Sequence, residues 1–227
     1  MDEIEYSIVF SRRRSISILV GPGKGVIVRA PFRTSLKTIE KFVQEKSPWI
    51  KKNIDRLSGL ERINHGKKYI EGEPHLFLGR EYILSIKESD KSFVRLFDNT
   101  IEAGLKEKDN HASIKSLMEK WYRKKAQELI SVKMTEILLK YRGYNFYPSK
   151  VTVRALRSRW GSCTSKRKIT INSELIKLNE SFIEYVIIHE LCHLKYHNHG
   201  KEFYSLLGEL FPDYKAVRKA LRKYLTE

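Results

Sequence analysis

The stretch Ser181-Phe182-Ile183-Glu184-Tyr185-Val186-Ile187-Ile188-His189-Glu190-Leu191-Cys192-His193 decides how this chain is read. Ser181 with Glu184 three residues later is a capping-box pattern, and an apolar run follows it, so a helix is expected over 182–197. On that helix His189 and His193 project from one face, about 5–6 Å apart at Cβ. The spacing suits two imidazoles converging on one zinc ion at roughly 2.0–2.1 Å. Glu190 points slightly aside, where a carboxylate can take a proton from a water that the metal activates.

A catalytic zinc takes three protein ligands and keeps one position open. His197 would stay on the same helical face but farther along, and three imidazoles in line cannot surround one ion. His199 lies between Asn198 and Gly200, where the helix is expected to end and the chain to turn back. A turn delivers a ligand from a third direction, which favours His199. His197 is then a surface or supporting residue, and Glu202 and Glu209 remain alternative third ligands. The His189–His199 separation also matches metzincins, but Tyr196 stands where they need glycine. All three methionines (Met1, Met118 and Met134) precede the motif, so no methionine turn follows it.

Upstream, Arg157, Arg159 and Trp160 fall in a strand region expected to border the cleft. The arginines suit a substrate's backbone, carboxylate or phosphate; the alternative is a structural tryptophan and salt-bridging arginines. Tyr204 and Tyr196 could stabilise an oxyanion or simply pack. Cys163 is expected to be packing, and Cys192 to point about 100° away from the metal face. His65, His75 and His111 are isolated and expected at the surface.

Outward from the motif, short β-branched runs over 4–10, 15–20 and 26–31 read as strands, with a turn at Gly21-Pro22-Gly23-Lys24-Gly25. Residues 35–57 read as helix, broken near Pro48 and recapped by Ser47. Residues 68–105 return to a β pattern. Helical spacing through Leu117, Trp121, Leu129, Val132 and Ile137 then covers 114–141, and 151–153, 160–163 and 168–171 read as a small sheet. One or two further helices surround Pro212. The fold class is α+β, with a boundary expected at the polar stretch 106–111. That gives a β-rich N-terminal lobe with one helical segment over 1–110 and a core over 111–227, or one compact domain.

The 227 residues carry 44 Lys+Arg against 27 Asp+Glu, net +17, and 41% hydrophobic residues, enough for a core and too many for a disordered chain. No run approaches the roughly 20 apolar residues that cross a bilayer, and no secretory signal opens the chain. Two cysteines make no disulfide framework, so the expected compartment is the cytoplasm, without a membrane partner. Charge is uneven: residues 111–227 hold 23 Lys+Arg and 11 Asp+Glu, net +12. Between Glu136 and Glu174 there is no acidic residue, but nine basic ones and Tyr141, Tyr144, Phe146, Tyr147 and Trp160. Such a window suits nucleic acid or another polyanion, or else it solvates a sheet edge.

Arg159-Trp160-Gly161-Ser162-Cys163, a strand ending near Asn172, His189-Glu190-Leu191-Cys192-His193-Leu194 and Asn198-His199-Gly200-Lys201-Glu202-Phe203-Tyr204 together resemble the YgjP-like metallopeptidase family, related to the SprT-like minimal zincins. The match is dense over 150–214 and looser elsewhere. The resemblance implies a gluzincin-like minimal zincin core with an added N-terminal β-rich part. It also implies one zinc ion per chain on His189, His193 and His199, with Glu190 as general base. The activity it implies is a zinc-dependent hydrolase, foremost a metallopeptidase acting on peptide or protein. The same metal site serves an alternative, a nucleoside-triphosphate pyrophosphohydrolase of UTP type. Further alternatives are a DNA-associated protease and a non-enzymatic zinc module that binds nucleic acid through 137–173.

Overall fold

The computed structural model describes residues 4–21, 25–58, 61–62, 67–107, 109–156 and 158–225, and the chain divides into two compact units, Met1–Glu61 and Arg62–Glu227. In the first, β1 (Tyr6–Ser11) and β2 (Ser17–Gly21) flank β3 (Gly25–Pro31), parallel and antiparallel respectively. Residues 22–24 of the expected turn lie outside the described residues. The helical segment is two helices, α1 (Leu36–Glu45) and α2 (Ser47–Ser58). Ser35 caps the first, its hydroxyl accepting from Thr38 N–H at 3.2 Å. Alternate residues Val26, Val28 and Ala30 of β3 meet Ile39, Val43 and Ile50 in a small core.

The second unit contains a four-stranded sheet of β4 (Pro74–Phe77), β5 (Arg80–Glu88), β6 (Phe93–Phe97) and β7 (Thr100–Leu105), in the order β4–β5–β7–β6. Next comes the 30-residue helix α3 (His111–Lys140), capped by the Asn110 side chain. Its buried stripe is Ile114, Met118, Trp121, Tyr122, Ala126, Ile130, Met134 and Ile137, while Val132, expected on that face, is exposed. A three-stranded sheet follows: β8 (Lys150–Arg154), β9 (Gly161–Cys163) and β10 (Lys168–Asn172). Here β10 is central, parallel to β8 and antiparallel to β9. Helices α4 (Glu180–Cys192), α5 (Lys201–Leu210) and α6 (Tyr214–Leu221) complete the unit.

The contacts divide the chain after residue 61, well before the polar stretch 106–111. That stretch links β7 to α3, and Leu84, Ile101 and Leu105 share one core with Ile114 and Met118. The β4–β5 turn is also tied down: Leu78 N–H donates to Ile176 O at 2.8 Å and Gly79 N–H to Lys177 O at 3.1 Å, just ahead of α4. The four-stranded sheet is thus built into the unit that carries the motif helix.

Candidate metal centre

Helix α4 is buried on nearly every side, with Phe182, Ile183, Tyr185–Ile188, Leu191 and Cys192 all in the core. Its cap is Asn179, whose side chain accepts from Ser181 N–H at 3.0 Å, one turn-start earlier than the Ser181 box. It also ends earlier. His193 is the C-cap residue, and the N–H groups of Leu194, Lys195 and Tyr196 close tight turns onto Leu191 O and Cys192 O. His197 is therefore past the helix and exposed rather than on a continuing face.

The early ending has a chemical consequence. The turn brings the Tyr196 carbonyl 3.0 Å from His193 Nδ1, which donates to it and leaves Nε2 free. His199 returns from the loop just before Gly200, the N-cap of α5. Its Nε2 lies 3.1 Å from His189 Nε2, and one ligand atom from each of His189, His193 and His199 falls within 4.8 Å of the others. Two ligands on tetrahedral arms of 2.0–2.1 Å are separated by about 3.3 Å. Phe203, fully buried on α5, forms the floor, its ring centroid 4.9, 4.6 and 4.7 Å from those of His189, His193 and His199. Its presence in the motif carried no chemical signal, because an apolar side chain shows its role only as a packing surface.

Burial, reinforced by the other two histidines, pushes His189 down to about 3, and burial also lowers His199; neutral imidazoles are what a metal requires. Glu190 is buried, its Oε2 without a hydrogen-bond partner. Burial pushes its carboxyl up to about 8, against the opposing charge of Arg159. The Glu190 carboxylate lies against the backbone of Gly161, at the edge strand β9. The donor set thus fits a zinc ion: three imidazole nitrogens converge, and a buried carboxylate oxygen lacks the donor that a water on the open position would supply.

The other expected site residues are distributed around this centre. Arg159 is exposed, with its charge bearing on Glu190; Trp160 is half-buried against the core; Arg157 lies outside the described residues. Tyr204 stacks on His199 at 6.0 Å. Glu202 is exposed and apart from the histidines, and the Glu209 carboxylate accepts from Tyr144 OH. Cys192 is buried, its thiol pushed up to about 12, and burial also raises Cys163. Asn172, unassigned by its sequence, is fully buried. Its Nδ2 donates to Leu156 O (2.9 Å) and Arg159 O (3.0 Å), and its Oδ1 accepts from Leu156 and Glu174 N–H. Of the remaining histidines, His111 is exposed, His65 lies outside the described residues, and His75 is not at the surface: it is buried beside Glu73.

The aromatic residues of the 137–173 window face largely inward. Tyr141 OH donates to Leu210 O, Tyr144 stacks on the buried Phe146, and Trp160 packs on the core, leaving Tyr147 exposed. Among the described residues no helix is long and apolar enough to cross a membrane.

Known proteins share these features. UTP pyrophosphatase of Escherichia coli (strain K12) is 31% identical over 71 residues, 31% of this chain and 42% of that protein. The chain thus matches less than half the length of that curated relative. Among solved structures, the metallopeptidase zymogen of Methanocaldococcus jannaschii jannalysin is 22% identical, covering 40% of this chain and 92% of its own, with a TM-score of 0.36. The zymogen of Pyrococcus abyssi abylysin is 27% identical, covering 43% and 93%, with a TM-score of 0.34. The profile of the YgjP-like metallopeptidase domain matches residues 14–224, nearly the whole chain, and the protein accordingly belongs to the YgjP-like family, a family of metal-dependent hydrolases.

Proposed function

We propose that this protein is a zinc-dependent peptidase with a minimal zincin core, in which His189, His193 and His199 hold the metal and Glu190 is the general base. The observation that carries the reading is the convergence of three imidazoles beside a buried carboxylate oxygen with no partner. When bound, zinc would polarise the scissile carbonyl and acidify water. Glu190 accepts the proton of the attacking water and passes it to the leaving amine; burial raises its carboxyl, and the positive charge of a bound metal would draw it back toward the ionised form that a base requires. Among the described residues no strand pairs with the outer edge of β9, which is next to Glu190, so an extended peptide can add there as a strand.

Glu190→Gln is expected to retain bound zinc and lose turnover by at least about a hundredfold, the scale of a lost general base. Metal analysis and kinetics on one preparation check both, and full activity in the variant would sink the mechanism.

A second reading, hydrolysis of a nucleoside triphosphate at the same centre, is favoured by the 71-residue likeness to UTP pyrophosphatase. Parallel assays of unstructured polypeptides and nucleoside triphosphates, with Glu190→Gln as the control, discriminate the two.

A further inference from the structure

Arg218 stands beside the metal centre, and no carboxylate of the described residues neutralises it. It lies on α6, which packs against α4, and its guanidinium sits 5.4 Å from the centroid of the Tyr204 ring. Tyr204 in turn stacks on His199 (6.0 Å, 29°) and on Tyr214 (5.9 Å, 19°). The cation is one aromatic ring removed from a candidate metal ligand, and its charge bears on His189, His199 and Tyr185. Arg218 is half-buried, and among the described residues no carboxylate lies within ion-pair distance of it. Arg159, likewise without such a partner, bears on Glu190 of the same centre.

A half-buried guanidinium beside a site for a divalent cation is electrostatically unfavourable, and the low effective dielectric amplifies the repulsion. Glu190 alone does not offset the metal and two arginines. A substrate oxyanion between Arg218 and the metal removes the conflict. We propose that Arg218 is a specificity-determining residue: it binds an oxyanion of the substrate, carboxylate or phosphate, beside the scissile bond and selects anionic substrates over neutral ones. The Tyr204 ring holds the guanidinium by a cation–π contact, and no described carboxylate competes with the oxyanion for its N–H groups. The inference rests on the metallohydrolase reading for the place of the site, not for the chemistry of recognition.

The test uses full-length, zinc-loaded Glu190→Gln protein, with and without Arg218→Gln, so that ligands bind without turnover. Inorganic pyrophosphate probes the phosphate source. Two peptides identical except for one Glu or Gln probe the carboxylate source. Calorimetry should show at least one anionic probe binding about tenfold or more weakly once Arg218 is replaced, with the Gln peptide unchanged. Arg218→Lys should restore part of the loss. Equal anion affinity in both proteins overturns the proposal, and so does loss of zinc in Arg218→Gln, which would assign the residue to structure. If the wild-type enzyme hydrolyses neither peptides nor triphosphates while pyrophosphate binding still depends on Arg218, the activity reading fails and the anion site stands.

Discussion

At position 161 the chain has room for no side chain. A Cβ built on Gly161 would lie 2.6 Å from Oε1 of Glu190, 2.8 Å from its Cγ and 2.9 Å from its Cδ. The atom in the way is the body of a buried carboxylate rather than the free end of a mobile chain, so the two cannot coexist unmoved. Gly161→Ala should therefore displace the proposed base while leaving the three histidines in place. The expected outcome is a fall in kcat of about a hundredfold, the scale of a misplacement near 1 Å, with KM and bound zinc little changed. Steady-state kinetics with metal analysis decides it. Zinc lost in proportion to kcat would instead make Gly161 a packing residue of the centre.

At the scale of elements, the segment that carries Arg159 and Trp160 is tied down chiefly at Asn172, whose backbone N–H also donates to Trp160 O at 2.9 Å. The Asn172 side chain, at the end of β10, makes four hydrogen bonds that join Leu156, Arg159 and Glu174 in a place closed to water. Asn172→Ala strands these backbone groups and should destabilise the protein by about 2–4 kcal/mol, opening tryptic cleavage after Arg159. Urea unfolding and limited proteolysis measure the two effects; resistance at Arg159 with unaltered stability would contradict them. The element is also where sequence reading succeeds and stops. The His189–His193 pairing is legible because four residues make about one turn of any α-helix. The end of α4 is not, since Leu194-Lys195-Tyr196 contains no helix breaker and the stop comes with the contact of His193 Nδ1 to Tyr196 O. Periodicity likewise reveals that a face is buried, not what covers it. The polar stretch 106–111 therefore reads as an internal boundary, although Leu105 and Ile114 on its two sides enter the same core.

For the whole molecule, the charge of +17 is answered locally in some places and left open in others. Along α3, Lys115, Lys124, Lys125 and the half-buried Lys133 each approach a glutamate within 4.0 Å, solvated pairs of small individual worth. In the acid-free window 137–173, by contrast, no described cation has a carboxylate partner. One buried group away from the metal centre adds a pH response of its own. His75 on β4 is 4% exposed, its Nε2 is 3.1 Å from Glu73 Oε2, and its ring lies 5.2 Å from that of Tyr69. Burial pushes its pKa down to about 4, although Glu73 pulls the other way; Lys67 and Lys177 add to the fall. The unfolded chain takes up a proton near pH 6.5 that the folded one refuses until about 4. Its contribution is therefore full above pH 6.5 and is lost as pH falls through that window, by on the order of 3 kcal/mol at the bottom. His75→Phe removes the titration and should flatten that part of the stability curve. In a Trp49→Phe background, fluorescence reports Trp121 and Trp160 of the second unit alone, and the three site histidines, common to both proteins, cancel in the comparison. Urea unfolding at pH 7, 6 and 5 should show the parent losing more stability than His75→Phe at each step down. Parallel curves would mean that the folded protein accepts a charged His75 as readily as the unfolded chain does.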